Sequence, residues 1–460
     1  MTKNRLKAFS ILIFLVAGIC CYKNQQTGNN SNIAAVQTSQ TPPACPASAD
    51  WVNNPQTGPT EVPLGNNAAI CQFYQFSWQW FLAMMNQTQG GTERNFQNQQ
   101  LYPQLQGKGS SCGTNSKPTF FLRTGKNREN LRGDFVMPED VNQALGNDVI
   151  WDQNGKVVLY EARFSRNECT MAEASPSPTP PQNFPANTIE MKISYRQITQ
   201  ADAPNYVTIN VDINQDGKTD PSELLGMVGF HLVISTADHP EFIWATFEHS
   251  QNAPECQKTA DPAQTWSFAS AACAAQLPNS VNPSQCNFNP SPTPTPTPGT
   301  TPTPPPTPFP LTGGTPTQIC RVYHDGSAPA DNQYGTNIFD VDTLNAQITG
   351  PGGIISTLSP GSPLAVLKNY QMVGALWLTQ DTTSPSFPNG SGNLANQRGS
   401  IQLANTTMET SAQQGFSQIP YTGTSNLQPA ANCFACHGYD PKQGNVQVSH
   451  IYDDILGQTK

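Results

Sequence analysis

An α+β fold, mainly antiparallel β with a few helices, is predicted by three features of this 460-residue sequence. Between Thr119 and His249, short runs rich in β-branched and aromatic residues follow one another: TFFLR, DVIWD, KVVLYEARF, TIEMKISYRQI, YVTINV, MVGFHLVIS and EFIWATFEH. No helical segments alternate cleanly with them and no Gly-rich phosphate loop occurs, which argues against a doubly wound parallel sheet and a dinucleotide fold. One stretch, Ile70 to Met85 (ICQFYQFSWQWFLAMM), is strongly apolar. Its Phe73, Phe76, Trp80 and Leu82 to Met84 fall near one face at three-to-four spacing, so it reads as a helix packed by its aromatics.

From the N-terminus, Lys3, Arg5 and Lys7 precede an apolar run from Ala8 to Ile19 and then Cys20-Cys21, the plan of a signal peptide or lipoprotein signal over residues 1–20. A run of about 12 apolar residues is shorter than the roughly 20 that span a bilayer. Cleavage is the favoured reading. The alternative is a lipidated Cys20 or Cys21 anchoring the chain to a membrane, although Ile19 and Cys20 sit poorly where lipoprotein processing wants a small residue. Residues 21–60 read as a polar disordered leader, and residues 61–289 as the strand-rich region. Within that region Asp152-Gln153-Asn154-Gly155 joins two strand runs, and Asn-Gly suits a hairpin turn because both residues tolerate positive φ. Ser175 to Pro181 is a short Pro/Ser/Thr insertion, and residues 290–310 (PSPTPTPTPGTTPTPPPTPFP) form an extended polyproline-like spacer. The spacer either separates two domains or is a long excursion from one. Residues 311–460 carry moderate apolar patterning at Cys320 to Asp340, Pro363 to Leu378 and Leu394 to Thr410, without long helices.

With 23 Lys+Arg against 32 Asp+Glu, a formal charge of −9 and no basic block beyond the extreme N-terminus, the chain is not designed for nucleic acid. Only 12% of residues are charged while amides, hydroxyls and 42 prolines abound, a surface style that suits an exported protein. Beyond the signal, Cys45, Cys71, Cys112, Cys169, Cys256, Cys273, Cys286 and Cys320 form an even set, expected to pair as structural disulfides in an oxidising compartment.

The remaining cysteines stand in Cys433-Phe434-Ala435-Cys436-His437. Two thiols one helical turn apart can add to the two vinyl groups of a haem, and the adjacent imidazole reaches the iron. A disulfide beside an unrelated histidine, a zinc site with His450 and a dithiol redox centre are weaker readings of the same spacing. Little chain follows His437, so earlier parts of the sequence must cover the porphyrin; a wall role for Trp78 or Trp80 is less favoured than plain core packing. The distal ligand stays open between Met408, a histidine such as His249, His231 or His450, and a vacant position.

A second motif, Asp212 to Glu223 (DINQDGKTDPSE), fits the twelve-residue calcium loop, with Asp212, Asn214, Asp216, Asp220 and Glu223 as oxygen ligands and Lys218 by its backbone carbonyl. The segment entering it is strand-like, which predicts a calcium-stapled turn; a plain Asp/Asn/Gly turn is the alternative. Glu248 and His249 are adjacent on a predicted strand and so point to opposite faces, poorly placed for joint acid–base work.

Four strings, Phe76 to Ala83 (FSWQWFLA), Ile189-Glu190-Met191-Lys192, Phe242 to His249 and Leu403 to Thr410 (LANTTMET) leading into the CxxCH, resemble an uncharacterised group of secreted bacterial cytochrome c family proteins with a single C-terminal CxxCH. The likeness spans about residues 70 to 440. It implies one unit containing strands and haem motif together, haem c on Cys433, Cys436 and His437, and added weight for Met408 as ligand. The Pro/Thr tracts and the calcium-like loop depart from the group. The expected function is that of a single-haem c-type cytochrome in extracytoplasmic electron transfer, at the periplasm, outer membrane or cell surface. Its partner would be a redox protein or a small electron donor or acceptor. The alternatives are a peroxidase-like haem oxidoreductase with an open distal side and a surface binding protein whose haem is structural.

Overall fold

The computed structural model describes residues 45–65, 68–105, 121–122, 150–174, 182–212, 218, 220, 223–278, 286, 312–322, 337–378, 397–400, 403–410, 413, 433–437, 439, 444–449 and 451. Ala44–Lys460 forms one compact unit distinct from Met1–Pro43, so the signal region lies outside the described residues. The fold is α+β, dominated by one antiparallel sheet. Its strands are β1 (Phe121–Leu122), β2 (Leu159–Phe164), β3 (Ile189–Ile198), β4 (Thr208–Asn210), β5 (Leu224–Ile234), β6 (Ile243–His249), β7 (Tyr370–Leu378) and β8 (Gln397–Gly399). They lie in the order β1-β2-β3-β5-β6-β7-β8, with β4 paired to the start of β5 on the edge opposite β3.

The long excursion between β6 and β7 contains the proline spacer, which lies outside the described residues. Because β6 and β7 are neighbours in the sheet, in register from Trp244↔Leu376 to His249↔Tyr370, residues 61–289 and 311–460 are not two domains. Their boundary falls inside a single sheet. The disulfides Cys45–Cys71, Cys256–Cys320 and Cys273–Cys286 are formed, and Cys169 is also disulfide-bonded. Cys256–Cys320 closes a separation of 64 residues, which removes chain entropy from the unfolded state.

Helix α1 (Ile70–Met85) has the bounds that its apolar run predicts. Gln72 Oε1 accepts the Ala69 N–H at its start, and at its end Asn95 Nδ2 donates to Ala83 O at 2.7 Å while the Arg94 guanidinium donates to Met85 O. Nearly every side of α1 is covered. The Phe81 ring stacks on Phe247 at 3.9 Å and 5°, Trp78 meets Phe247 edge-on at 5.0 Å, and Phe73 stacks on Trp377 at 4.0 Å. Trp78 thus packs between α1 and the sheet, while Trp80 belongs to the same buried cluster but lies against Gly58 and Pro59.

Sequence patterning did not anticipate two helices. In α4 (Asn337–Ile348), Val341, Leu344 and Ile348 are buried at helical spacing, but intervening Asp, Asn, Thr and Gln dilute the pattern. The other is α2 (Arg166–Ala174), which buries Glu168, Cys169 and Ala172; a further short helix, α3 (Ala271–Ala274), lies between them in the chain. The leader predicted over 21–60 is a correction from Cys45 onward. There the Cys45–Cys71 bond, the Gln347 amide spanning Ala47 N and Cys45 O, and the Trp80 indole donating to Pro59 O at 2.7 Å bind a polar segment to the core. The turn at Asp152 to Gly155 is present, with Trp151 bridged to Val157; Asp152 Oδ1 accepts from Asn154 and Lys156 N–H, and of Asn154 and Gly155 only the glycine has positive φ.

Stacked on one ring and edge-packed on two more, Phe81 cannot be truncated without leaving a void that rigid neighbours cannot fill. Phe81→Ala should lower unfolding free energy by about 3–5 kcal/mol, read from urea midpoints; a loss under about 1 kcal/mol would mean that the helix–sheet core is not packed as described.

Candidate functional site

Strand β6 is buried on both faces, and its alternation divides its side chains. Ile243, Ala245 and Phe247 enter the core under α1, while Trp244, Thr246 and Glu248 point to the opposite face. That second face also receives Tyr160 of β2, Lys192 and Ser194 of β3, and His231 of β5, with Lys192, His231 and Thr246 in successive register. Two late segments cover it, residues 403–410 and the CxxCH region.

Residues 403–410 are held by side-chain hydrogen bonds on both sides of Met408. Asn405 Nδ2 donates to Thr246 Oγ1 at 2.9 Å, the Tyr160 hydroxyl donates to Thr407 O at 2.6 Å, and Thr407 Oγ1 pairs with Ser194 Oγ at 2.7 Å. Close approach requires Gly229, where a Cβ would lie 2.5 Å from Ser194 Oγ and 2.7 Å from Thr407 Oγ1. Thr406 donates through both N–H (2.6 Å) and Oγ1 (2.9 Å) to Glu248, whose carboxylate also receives the Arg321 guanidinium at 2.9 Å. Arg321 is completely buried; burial opposes its charge, but Glu248 and Glu255 outweigh that and raise its pKa. The network encloses Met408, which is 0% exposed and shares an apolar cluster with Phe434, Trp244, Val446 and Val448.

The sequence Cys433–Cys436 forms one helical turn, α5, closed by His437 N–H donating to Cys433 O at 2.8 Å. This turn brings residues three apart onto neighbouring positions of the same helical surface. Phe434 is the anchor, fully buried with its ring 6.0 Å from Trp244. Cys433 is partly buried against the same cluster. The His437 ring lies 4.4 Å from Trp244, and its Nδ1 is 2.7 Å from Val448 O. A carbonyl only accepts, so Nδ1 carries a proton, and in the neutral form of the ring the lone pair falls on Nε2. The segment supplying that carbonyl is locked by Phe184 N–H to Asn445 Oδ1 (2.6 Å) and Asn445 N–H to Asn183 Oδ1 (2.7 Å). Gly444, at φ 81°, passes so close to Gln182 that a Cβ would fall 2.0 Å from its carbonyl oxygen.

The other predicted residues divide sharply. His249 lies on the α1 face: its Nε2 donates to Asn205 O at 3.0 Å, its Nδ1 accepts from Gln251 N–H at 3.2 Å, and its ring stacks on Tyr206 at 4.3 Å. Both nitrogens are committed, and Glu248 beside it points the other way. His231 Nε2 pairs with Glu409 Oε1 at 2.8 Å; burial opposes the Glu409 charge, yet His231, Lys192 and the Asn405 N–H together hold its carboxyl below the usual range. His450 lies outside the described residues. So do Asn214 and Asp216 of the calcium-like loop, of which Asp212, Lys218, Asp220 and Glu223 are described. There the Asp220 N–H reaches Glu223 Oε2 at 3.4 Å, and among the described residues no group of three or more His, Cys, Asp or Glu converges as a metal site. Sequence reasoning missed Trp244 as the residue beneath His437, Val448 as its acceptor, and Asn405 and Thr406 as anchors; only the even-numbered alternation of β6 hinted at the first.

No protein-family model, curated protein or solved structure matches this chain.

Burial pushes the His249 pKa down from its ordinary 6.5 to about 4, against the raising effect of its bond to Asn205. Below 6.5 the unfolded chain binds a proton that the folded chain refuses, so this contribution is present above pH 6.5 and lost as pH falls toward 4. His249→Gln should flatten stability against pH across that window, by up to about 1.4 kcal/mol per pH unit. Parallel curves for the two proteins in urea unfolding would reject the assignment.

Proposed function

We propose that this chain is a single-haem c-type cytochrome that carries electrons outside the cytoplasm. The observation that carries the reading is the bond from His437 Nδ1 to Val448 O, next to two cysteines one turn apart. A metal-bound histidine characteristically donates its other ring nitrogen to a carbonyl or carboxylate, which fixes the tautomer and aims the coordinating lone pair. The donor set fits haem c: Cys433 and Cys436 would hold it covalently and His437 would ligate its iron. When bound, the haem supplies a one-electron iron couple. The chain's own contribution is to orient the imidazole through Val448, to exclude water with Phe434 and Trp244, and to offer Met408 as the sixth ligand. Among the candidate ligands described, Met408 is favoured because His249 has both nitrogens bonded and His231 is tied to Glu409. A thioether ligand raises the potential and closes the iron to substrate, as a carrier requires. The formed disulfides support an oxidising, extracytoplasmic location, and among the described residues no helix is long and apolar enough to cross a membrane. The electron would pass to and from a redox protein or a small one-electron partner.

Protein matured in an export-competent host should gain the mass of one haem and a c-type reduced spectrum, both lost in Cys433→Ala/Cys436→Ala. Colourless protein of unaltered polypeptide mass would end the haem reading. Met408→Ala should abolish the methionine-to-iron charge-transfer band and admit carbon monoxide to the reduced protein. Rapid carbon monoxide binding by the unaltered protein would instead favour the open-sided haem enzyme.

A further inference from the structure

Behind the carbonyl that orients His437, the fold buries two carboxyl groups against each other. Glu168 of α2 is 0% exposed; its Oε1 accepts from Ser449 Oγ at 2.8 Å, while among the described residues its Oε2 has no hydrogen-bond partner. Glu190 of β3, itself buried, faces it, and Ser165 contributes a second hydroxyl. Ser449 is the residue after Val448, and its Oγ also accepts the Ile451 N–H. One serine therefore ties the carboxyl pair to the turn whose carbonyl receives the His437 proton. Burial and then repulsion from Glu190 push the Glu168 carboxyl well above the usual carboxylate range, more strongly than the two serine hydroxyls lower it.

We propose that Glu168 and Glu190 form a proton-binding site that takes up a proton when an electron arrives at the His437 side of the protein, so that the chain carries a proton with its electron. The inference rests on the haem reading above. The step balances: the electron that a bound haem would accept comes from an external one-electron donor, and a proton from solvent bonds to a carboxylate oxygen of the pair. Oxidation by the acceptor returns the proton to water. Loss of positive charge at the metal raises proton affinity nearby, most strongly where water is excluded and the effective dielectric is low. The Arg166 guanidinium of α2 is directed to the Gln99 and Gln100 carbonyls, the cross-strand neighbours of Glu190 are Phe164 and Val233, and Lys192 stands two residues farther along the same face of β3. Among the described residues, Ser165 and Ser449 are the hydroxyl neighbours of Glu168.

The test is a pH series of potentiometric titrations on the full matured chain, with reduced-minus-oxidised infrared difference spectra. The midpoint potential should fall as pH rises, by up to tenfold in the redox equilibrium per pH unit, about 59 mV for one electron. Reduction should create a protonated-carboxyl C=O band. Glu168→Gln should flatten the potential and remove the band, and Glu190→Gln serves the same purpose if the first variant does not fold. A pH-independent potential in the unaltered protein, absence of the carboxyl band, or a slope that survives both substitutions would overturn the proposal. Failure of the haem reading is separately visible, as absence of colour and added mass before any titration begins.

Discussion

Enclosure of β6 on both faces is the constraint from which the rest of the molecule follows. A strand sends successive side chains to opposite sides, so a one-residue slip would carry Glu248 into the aromatic core and Phe247 into the polar network. With α1 packed on one side and residues 403–410 on the other, neither error is tolerable, and the register of β5, β6 and β7 is set together. The same alternation puts Trp244 where the CxxCH turn can rest on it and His249 where it cannot reach that turn.

Glu248 turns that register into a positioned loop. A fully desolvated carboxylate must be compensated, and here Arg321, the Thr406 N–H and the Thr406 hydroxyl supply the compensation. Removing one partner from such a buried pair costs about 3–5 kcal/mol, because the other charge is left stranded. The pair is therefore better understood as a specification of where residue 406 sits than as net stabilisation. Asn405 and Thr407 extend the specification to the N-terminal flank of Met408 and Glu409, paired with His231, to the other, so a flexible unbranched side chain acquires a defined address. On the other side of the cluster, Phe434 anchors α5 while the carbonyl of Val448 sets the imidazole tautomer. Met408 and the CxxCH turn meet in the same apolar cluster, although each is held by its own independent set of bonds.

Much of the fold could be read locally. The antiparallel strands from β2 to β6 and the bounds of α1 lie in windows whose periodicity and composition agree with their final state, and the Asp152 to Gly155 turn is signalled by its own residues. Helices α2 and α4 were illegible because their buried positions are separated by polar residues whose character reflects exposure rather than conformation. Residues 45–60 are polar enough to read as disordered, and only a disulfide to α1 and a few indole and amide bonds reveal that they belong to the core.

By itself the sequence determined the chemistry available at the C-terminus, because two thiols and an imidazole at C-x-x-C-H spacing are set by covalent order within one helical turn. It also determined that β6 would split Glu248 from His249, since alternation is local. Tertiary structure alone decided that Val448 accepts from His437, that Trp244 lies beneath that ring, that His249 is consumed by other bonds and that β6 and β7, far apart in sequence, are adjacent in one sheet. Those outcomes depend on which distant segments win the competition for a limited number of buried donors, acceptors and strand edges, a contest among whole-chain arrangements that no short window of residues encodes.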